Sequence, residues 1–294
     1  MSDGLSGVAV VGSANLDLVV EVPRPPRIGE TLLGRAGGRF AGGKGLNQAV
    51  AAARSGAATR FVGVVGVDDG AALLERTLAD AGVATALRRT ATAPTGVAHV
   101  LALEGGDNSI VVAAGANGEL TERDAVHGVA GAAVVLAQLE VPYASVSAAV
   151  RAGREAGAVT VVNAAPANPA VLGLLDAVDV LVVNETECAE LGGVERLHSV
   201  GARSVVRTRG AGGVELHRAG AAPVSVAAFR IEPLDTTGAG DAFCGALAAA
   251  LSEGVELEGA LVRACAAGAI VAQHRGATTE ALSPSSLAEL VATR

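Results

Sequence analysis

The segment Val8-Ala9-Val10-Val11-Gly12-Ser13-Ala14-Asn15-Leu16-Asp17 places a short apolar run directly before small and polar residues. A short apolar run that stops at glycine predicts a buried β-strand. Similar runs recur along the chain at 61–65, 133–139, 159–162, 180–183 and 204–206, and helical patterns separate most of them. This alternation predicts an α/β fold in which helices cover both faces of a mostly parallel sheet.

Two extended segments, at about 16–40 and 92–112, do not follow this alternation. In the second segment, Gly105-Gly106-Asp107-Asn108 separates two extended runs and is typical of a hairpin turn. We predict that residues 1–294 form a single domain, and that strands from these two segments form a small additional sheet that acts as a lid.

The composition limits the partners and the compartment of the protein. The 294 residues carry a formal charge of −8 without a basic run, so nucleic acid is not an expected partner. Polar residues interrupt every apolar stretch before it reaches membrane-spanning length. The start, Met1-Ser2-Asp3-Gly4, lacks the features of a signal peptide, and the 3 cysteines show no C-x-x-C spacing. We therefore expect a cytoplasmic protein that has no membrane segment.

Two polar side chains, Asn15 and Asp17, follow the first predicted strand. Ligands of open α/β sheets bind at the carboxyl ends of strands. Asp accepts hydrogen bonds and Asn both donates and accepts them, so the pair suits neighbouring hydroxyls of a polyol. The same residue types also cap turns and helices. From this segment alone, both interpretations stay open.

Lys44 is the only lysine of the chain, and it lies in Gly42-Gly43-Lys44-Gly45-Leu46-Asn47-Gln48-Ala49. Paired glycines before a helix let the backbone approach a ligand closely, and a helix N-terminus favours anionic groups. The spacing is not that of a P-loop. A purely structural turn does not need the one lysine, so we interpret this segment as part of a binding site.

The segment Asn184-Glu185-Thr186-Glu187 follows the strand-like run at 180–183. Polar and acidic side chains at a strand end suit a hydrated Mg²⁺ ion. Alternatively, Asn184 caps a helix and Glu187 completes a capping box. The two interpretations are compatible with each other.

The segment Asp235-Thr236-Thr237-Gly238-Ala239-Gly240-Asp241 precedes a helical stripe that begins at Phe243. Small residues at a helix start leave backbone N–H groups open to the charge that develops on a transferring phosphoryl group. Asp241 is placed to accept a proton from an attacking hydroxyl.

Other common site types are not indicated by the sequence. The 5 histidines lack zinc-ligand spacing. There is no G-x-S-x-G elbow, and no G-x-G-x-x-G follows a strand. These observations count against a zinc site, a serine hydrolase and a nicotinamide-dependent dehydrogenase.

Taken together, these segments resemble the ribokinase, or PfkB, family of carbohydrate kinases. The similar motifs, in order, are N-x-D at Asn15 and Asp17, GGKGxNQA at 42–49, GAN at 115–117, QLE at 138–140, APA at 165–167, NETE at 184–187 and DTxGAGD at 235–241. The resemblance covers nearly the whole chain. It implies a three-layer α/β sandwich with a mostly parallel central sheet and a small β lid, and an ATP-dependent sugar kinase with D-ribose as the favoured substrate.

The resemblance also implies roles for individual residues. Asp241 deprotonates the 5-hydroxyl of the sugar, and the backbone of Gly238, Ala239 and Gly240 forms the anion hole. The positions that match sugar-binding residues are Asn15, Asp17, Gly43, Lys44, Asn47, Glu140 and Asp241. Those that match nucleotide-binding residues, with Mg²⁺ accompanying ATP, are Asn184, Glu187, Thr208, Gly210, Gly213, Gly240 and Cys265.

Further positions match a site for K⁺ as a monovalent activator: Asp235, Thr237, Val271, His274, Gly276 and Glu280. A homodimer formed through the lid is expected by the same resemblance. The chain departs from the family pattern at Cys265, where relatives often carry Asn or His near the purine. It also departs at Gly212, which replaces a longer side chain, and at Glu280, which replaces a serine.

Two alternatives to a ribose kinase stay open at this stage. One is a nucleoside kinase or another sugar kinase, because the family uses the same motifs for different substrates. The other is a catalytically silent sugar-binding regulator on the same fold. The intact Asp241 and Gly238-Ala239-Gly240 argue against the silent regulator.

Overall fold

The computed structural model describes residues 6–103 and 108–294. In chain order the strands of these ranges are β1 (Val8–Val11), β2 (Asn15–Val22), β3 (Arg35–Gly42), β4 (Thr59–Val65), β5 (Ala84–Arg89), β6 (Gly96–Leu103), β7 (Asn108–Ala113), β8 (Val134–Ala137), β9 (Val159–Asn163), β10 (Val180–Asn184), β11 (Ser204–Thr208), β12 (Val214–Arg218) and β13 (Val224–Val226). The α-helices are α1 (Lys44–Arg54), α2 (Asp69–Asp80), α3 (Glu122–Val129), α4 (Tyr143–Glu155), α5 (Glu185–Glu190), α6 (Gly193–Ser199), α7 (Ala239–Ser252), α8 (Leu257–Ala272) and α9 (Pro284–Val291).

The main sheet contains nine strands in the order β13-β12-β11-β10-β9-β8-β1-β4-β5. Neighbouring strands are parallel except that β12 runs antiparallel to both β11 and β13. The sequence prediction of a mostly parallel sheet in an α/β fold is therefore confirmed.

Helices pack on both faces of this sheet. On one face, α3, α4, α5 and α6 contribute apolar side chains to a core with Val11, Val135 and Leu181. On the other face, α1, α2, α7 and α8 pack around Val10, Phe61 and Leu136. Alternate residues of β1, such as Val10 and Val11, thus belong to different cores, because successive side chains of a strand point to opposite faces.

A second sheet contains four strands in the order β3-β2-β6-β7. Strands β2 and β6 are parallel, whereas β3 and β7 are antiparallel to their neighbours. These strands lie largely in the segments at 16–40 and 92–112. The antiparallel pairing of β6 with β7 agrees with the predicted hairpin, but Gly105, Gly106 and Asp107 of its turn lie outside the described residues.

The surface of the small sheet is unusually apolar at β7, whose six residues are all exposed. Val111 is 68% exposed, and Ile110 and Val112 are also exposed. Across the described ranges, no helix combines the length and the apolar character needed to cross a bilayer.

Candidate active site

Parallel strands bring the predicted site residues to one edge of the main sheet. Strands β9, β10 and β11 end on Asn163, Asn184 and Thr208, and β8 is followed directly by Gln138. From β1 the order of the strands runs through β4 and β5 on one side, and through β8 to β13 on the other side. The direction in which strands are added to the sheet therefore reverses at β1. Such a reversal point, at the carboxyl ends of the strands, is where open α/β sheets bind ligands.

The small sheet supplies Asn15 and Asp17 to this edge through β2. Asn15 is buried, and its Oδ1 accepts a hydrogen bond of 2.7 Å from Nδ2 of Asn117. Oδ1 of Asp17 and Oδ1 of Asn47 are buried without a hydrogen-bond partner among the described residues. Buried acceptors without partners are costly, and sugar hydroxyls are donors that would satisfy them.

Glu140 holds the start of α1 beside these acceptors. Its Oε2 accepts hydrogen bonds from Oγ of Ser13, at 2.5 Å, and from the backbone N–H of Lys44, at 3.1 Å. Gly43 has φ of 90°, a conformation that favours glycine, and a side chain there would contact the backbone of Ala14 and Asn15. Gly43 therefore contributes close backbone packing rather than a side-chain contact.

Three carboxylates face one another in this part of the site. Burial, together with the nearby charges of Glu140 and Asp241, raises the pKa of Asp17 from 3.8 to about 7. Without a sugar, Asp17 is therefore protonated in a large fraction of molecules near neutral pH.

Binding of the sugar that the sequence resemblance implies is expected to release protons at low pH. Hydroxyl donors favour the ionised form of Asp17, so binding at about pH 6 should release close to one proton, and binding at about pH 8.5 close to none. Titration calorimetry in buffers of different ionisation enthalpy measures this number.

Asp17→Asn is the control for that experiment, because it removes the titrating group and retains an oxygen acceptor. It should abolish the difference between the two pH values. An equal proton release by the wild type at both pH values would contradict the placement of Asp17 against the sugar.

A pocket next to this cluster holds the sole lysine. It is lined by Lys44, Asn163, Ala165, Val182, Asn184, Glu187, Thr208, Gly238, Gly240, Asp241 and Cys244. Burial alone would lower the pKa of Lys44, but the charges of Asp241, Glu140 and Glu187 outweigh it and raise the pKa. Lys44 thus lines the same pocket as the predicted base Asp241 and as four residues predicted to bind the nucleotide: Asn184, Glu187, Thr208 and Gly240.

Asp241 lies in the first turn of α7 and is held by two side chains of α1. Nδ2 of Asn47 donates to Asp241 Oδ2 at 3.1 Å, and Nε2 of Gln48 donates to Asp241 Oδ1 at 2.9 Å. The two helices approach closely because Gly245, one turn beyond Asp241, has no side chain. A Cβ at this position would collide with the Gln48 carbonyl oxygen.

The turn before α7 determines which backbone N–H groups face the pocket. Gly238 has φ of 74°, and a side chain there would collide with Ala277. The N–H of Ala239 donates to the carbonyl of Thr236 at 3.2 Å. The N–H groups of Gly238 and Gly240 have no acceptor in the described part of the chain. A Cβ on Gly240 would meet open space.

Asn184 and Glu187 form the predicted capping box at the start of α5. Asn184 Oδ1 accepts from the N–H of Glu187, and Glu187 Oε2 accepts from the N–H of Asn184, both at 2.8 Å. Burial raises the pKa of Glu187. The second oxygen of Glu187, in a residue that lines the pocket, fits a hydrated Mg²⁺ ion, since carboxylate oxygens and water are its usual ligands.

Asp235 connects the turn before α7 to the residues after α8. Its carboxylate accepts hydrogen bonds from the N–H groups of Thr237 and Gly276, both at 2.9 Å. Burial alone would raise the pKa of Asp235, but these hydrogen bonds together outweigh it and lower the pKa. Each oxygen keeps a lone pair, so the group fits a monovalent cation. The carbonyl of Val271 accepts from the N–H of His274, and Glu280 is exposed.

The other predicted nucleotide residues lie around the end of β11. Gly210 begins a short 3-10 helix after Thr208, and Gly213 has φ of 83° and packs against the carbonyl of Val226. Cys265 lies half-buried on α8, and burial raises its pKa to about 11. Of these residues, only Thr208 is part of the pocket lining described above.

Five further polar side chains of the site, buried or hydrogen-bonded, have no role predicted from the sequence: Ser13, Gln48, Asn117, Gln138 and Asn163. Gln48 and Gln138 lie inside the motifs GGKGxNQA and QLE, and Asn163 directly follows a predicted strand. A polar residue at the end of a predicted buried strand, such as Asn163, is the one signal in the sequence that indicates such a role. The hydrogen-bond partners of these side chains are distant in the sequence, so no local pattern predicts them.

Comparison with known proteins agrees with this geometry. The family model of the pfkB family carbohydrate kinases matches residues 6–284. The ribokinase of Bacillus subtilis is 39% identical over 266 residues, which cover 87% of this chain and 89% of that protein. The ribokinase of Haemophilus influenzae is 36% identical over 286 residues, which cover 92% of this chain and 93% of that protein.

Solved structures show the same similarity. A structure of Arabidopsis thaliana ribokinase complexed with ribose and ATP superimposes with a TM-score of 0.88 at 33% identity, over 97% of this chain and 98% of that chain. A ribokinase structure from Thermotoga maritima gives a TM-score of 0.87 at 30% identity, over 98% of this chain and 99% of that chain.

The chain belongs to the pfkB family of carbohydrate kinases. It is an ATP-dependent sugar kinase, as the sequence resemblance predicted.

Proposed function

We propose that this kinase transfers the γ-phosphoryl group of ATP to the 5-hydroxyl of D-ribose. The observation that carries the proposal is the pair of buried acceptors without partners, on Asp17 and Asn47, beside Asp241. They suit a small polyol whose reacting hydroxyl reaches Asp241. The choice of ribose is supported by relatives named ribokinase and by the Arabidopsis thaliana ribokinase complexed with ribose and ATP.

In the proposed reaction, Asp241 accepts the proton of the 5-hydroxyl. The sugar oxygen forms a bond to the γ-phosphorus, the bond from this phosphorus to the β,γ-bridging oxygen breaks, and ADP leaves. Asn47 contacts both parts of this arrangement, because its Nδ2 holds Asp241 while its buried Oδ1 is available to the sugar.

Negative charge on the transferring phosphoryl group meets the N–H groups of Gly238 and Gly240 and the N-terminus of α7. Ala239 joins this anion hole only if its N–H exchanges the carbonyl of Thr236 for the phosphoryl group. Lys44, which lines the same pocket, adds a mobile positive charge. Glu187 and Asn184 would hold the Mg²⁺ that accompanies ATP, and this ion would supply charge neutralisation on the phosphates.

We also propose that the small sheet is a lid over the sugar and contributes to a homodimer. Asn15 and Asp17 of the site lie on β2, and Gly43 directly follows β3. The exposed apolar residues of β7 are a suitable contact for the lid of a second copy. Sedimentation velocity tests this part, and a monomer at all concentrations would overturn it.

K⁺ is expected to raise turnover. An ion held by Asp235, Thr237 and the backbone near Val271, His274 and Gly276 would fix the turn that presents Gly238 and Gly240, without contacting the sugar. Replacing K⁺ by tetramethylammonium, at constant ionic strength and Mg²⁺, should lower kcat several-fold with little change in KM for ribose.

Na⁺ is the matched comparison. Glu280 is exposed, and turnover in Na⁺ relative to K⁺ tests whether its carboxylate affects the ion or only faces solvent. Equal turnover in K⁺, Na⁺ and tetramethylammonium would rule out monovalent activation. Asp235 would then act only as the hydrogen-bonded connection between the two loops.

An ADP-release assay over pentoses, hexoses and nucleosides tests the substrate assignment. D-ribose should give the highest kcat/KM, and reactions without sugar measure background ATP hydrolysis. A higher kcat/KM for a nucleoside or a hexose would assign the chain to another substrate. ADP release that no compound stimulates would favour the silent regulator.

A further inference from the structure

A chain of buried amides ends on the proposed base. Gln48 is fully buried, and its Nε2 donates to Asp241 Oδ1 at 2.9 Å and to Asn163 Oδ1 at 3.1 Å. Its Oε1 accepts from Nε2 of Gln138, also fully buried, at 2.5 Å. Gln138 follows β8 and Asn163 ends β9, so the chain connects the central strands to α7.

The orientation of Gln48 in this chain follows from chemistry. An ionised carboxylate only accepts hydrogen bonds, so the Gln48 amide must direct its NH₂ group to Asp241. Its oxygen then points away and takes a hydrogen bond from Gln138. Reversing the Gln48 amide would place its oxygen against the carboxylate and leave the Gln138 NH₂ group facing another donor.

We propose that Gln48 is a positioning residue that orients the Asp241 carboxylate for proton transfer. Gln48 holds Oδ1 and Asn47 holds Oδ2, so rotation of the carboxylate about its bond to Cβ is fixed from both sides. This inference rests on the proposed role of Asp241 as the base. It assigns Gln48 no contact with the sugar or the nucleotide.

The backbone arrangement supports a specific role for the Gln48 side chain. The absent side chain at Gly245 already sets the approach of α7 to α1, through the carbonyl of Gln48. Backbone packing therefore positions α1 against α7 without the Gln48 side chain. The Gln48 amide additionally orients the Asp241 carboxylate.

The test is Gln48→Met, which keeps the length of the side chain and removes both hydrogen-bonding groups. We expect kcat to fall about tenfold while the Kd for ribose changes by less than about twofold, because misorientation of a base affects the transition state and not sugar binding. In the Asp241→Asn background, Gln48→Met should cause no further loss of kcat, since the carboxylate that it orients is gone.

Thr160→Val is the matched control for loss of a buried hydrogen bond. Thr160 is fully buried near the start of β9, away from Asn163, and bonds Asp179 and the carbonyl of Ala177. Its loss should lower the melting temperature and leave kcat unchanged. If Gln48→Met does not fold, Gln138→Met removes the support of Gln48 from its other end and should lower kcat about threefold.

The outcomes separate this inference from the proposed function. Asp241→Asn with near wild-type turnover would refute the base itself. A large loss in Asp241→Asn together with wild-type kcat in Gln48→Met would refute only the positioning role. If Gln48→Met lowers kcat by the same factor in the wild type and in Asp241→Asn, its effect is a general structural one, and the inference is overturned.

Discussion

Asp241→Asn is expected to lower kcat by about 10²–10⁴, the usual contribution of a general base. The substitution keeps the size of the side chain, and Asn has an oxygen that can still accept from Asn47 or Gln48. The Kd for ribose should therefore stay within about threefold of wild type, since only the acceptor for the hydroxyl proton is lost. Coupled ADP release measures kcat, and titration calorimetry measures the sugar affinity.

Asp176→Asn is the matched control, because it makes the same chemical change at an exposed carboxylate paired with Arg151. Exposed ion pairs contribute little, so this variant should have wild-type kcat. Turnover above about a tenth of wild type in Asp241→Asn would show that the base is misassigned.

Gly240→Ala is expected to lower kcat by about 10²-fold while the protein stays fully folded. The added methyl group would meet no protein atom, because the space beyond Gly240 is open. In the proposed complex that space holds the transferring phosphoryl group, and loss of one anion-hole contact costs about 10²–10³ in kcat. Steady-state kinetics and thermal unfolding are the two measurements.

The expected stability of this variant makes the result specific. Ala is favoured over Gly in a helix by up to about 1 kcal/mol, so the melting temperature should not fall. Gly238→Ala should behave differently, because its φ of 74° and the nearby Ala277 make a side chain unfavourable. That variant should unfold at a lower temperature. Wild-type kcat in Gly240→Ala would place the phosphoryl group elsewhere.

The main sheet could be predicted from the sequence because its strands are short apolar runs. The predicted strand Val8–Val11 matches β1 residue for residue, and the run at 61–65 lies within β4. The capping box of Asn184 and Glu187 was also predicted, since it depends only on residues three positions apart. Local patterns therefore determined local structure.

Contacts between distant segments could not be predicted in the same way. Gln48, Gln138 and Asn163 form one amide chain, but no local pattern in the sequence connects them. The shared pocket of Lys44 with Asn184, Glu187 and Thr208 follows from the three-dimensional structure and not from the motif around Lys44. The bond from the Ala239 N–H to Thr236 likewise depends on how the turn closes in three dimensions.

The position of the phosphate in the product shows whether the kinase phosphorylates the 5-hydroxyl of D-ribose. A proton-coupled ³¹P NMR spectrum of the reaction with ATP and D-ribose distinguishes the sites of phosphorylation, because carbon 5 carries two protons and each ring carbon one. We expect a sugar phosphate whose phosphorus signal is a triplet. A doublet, or no sugar phosphate although another sugar or a nucleoside is phosphorylated, would contradict it.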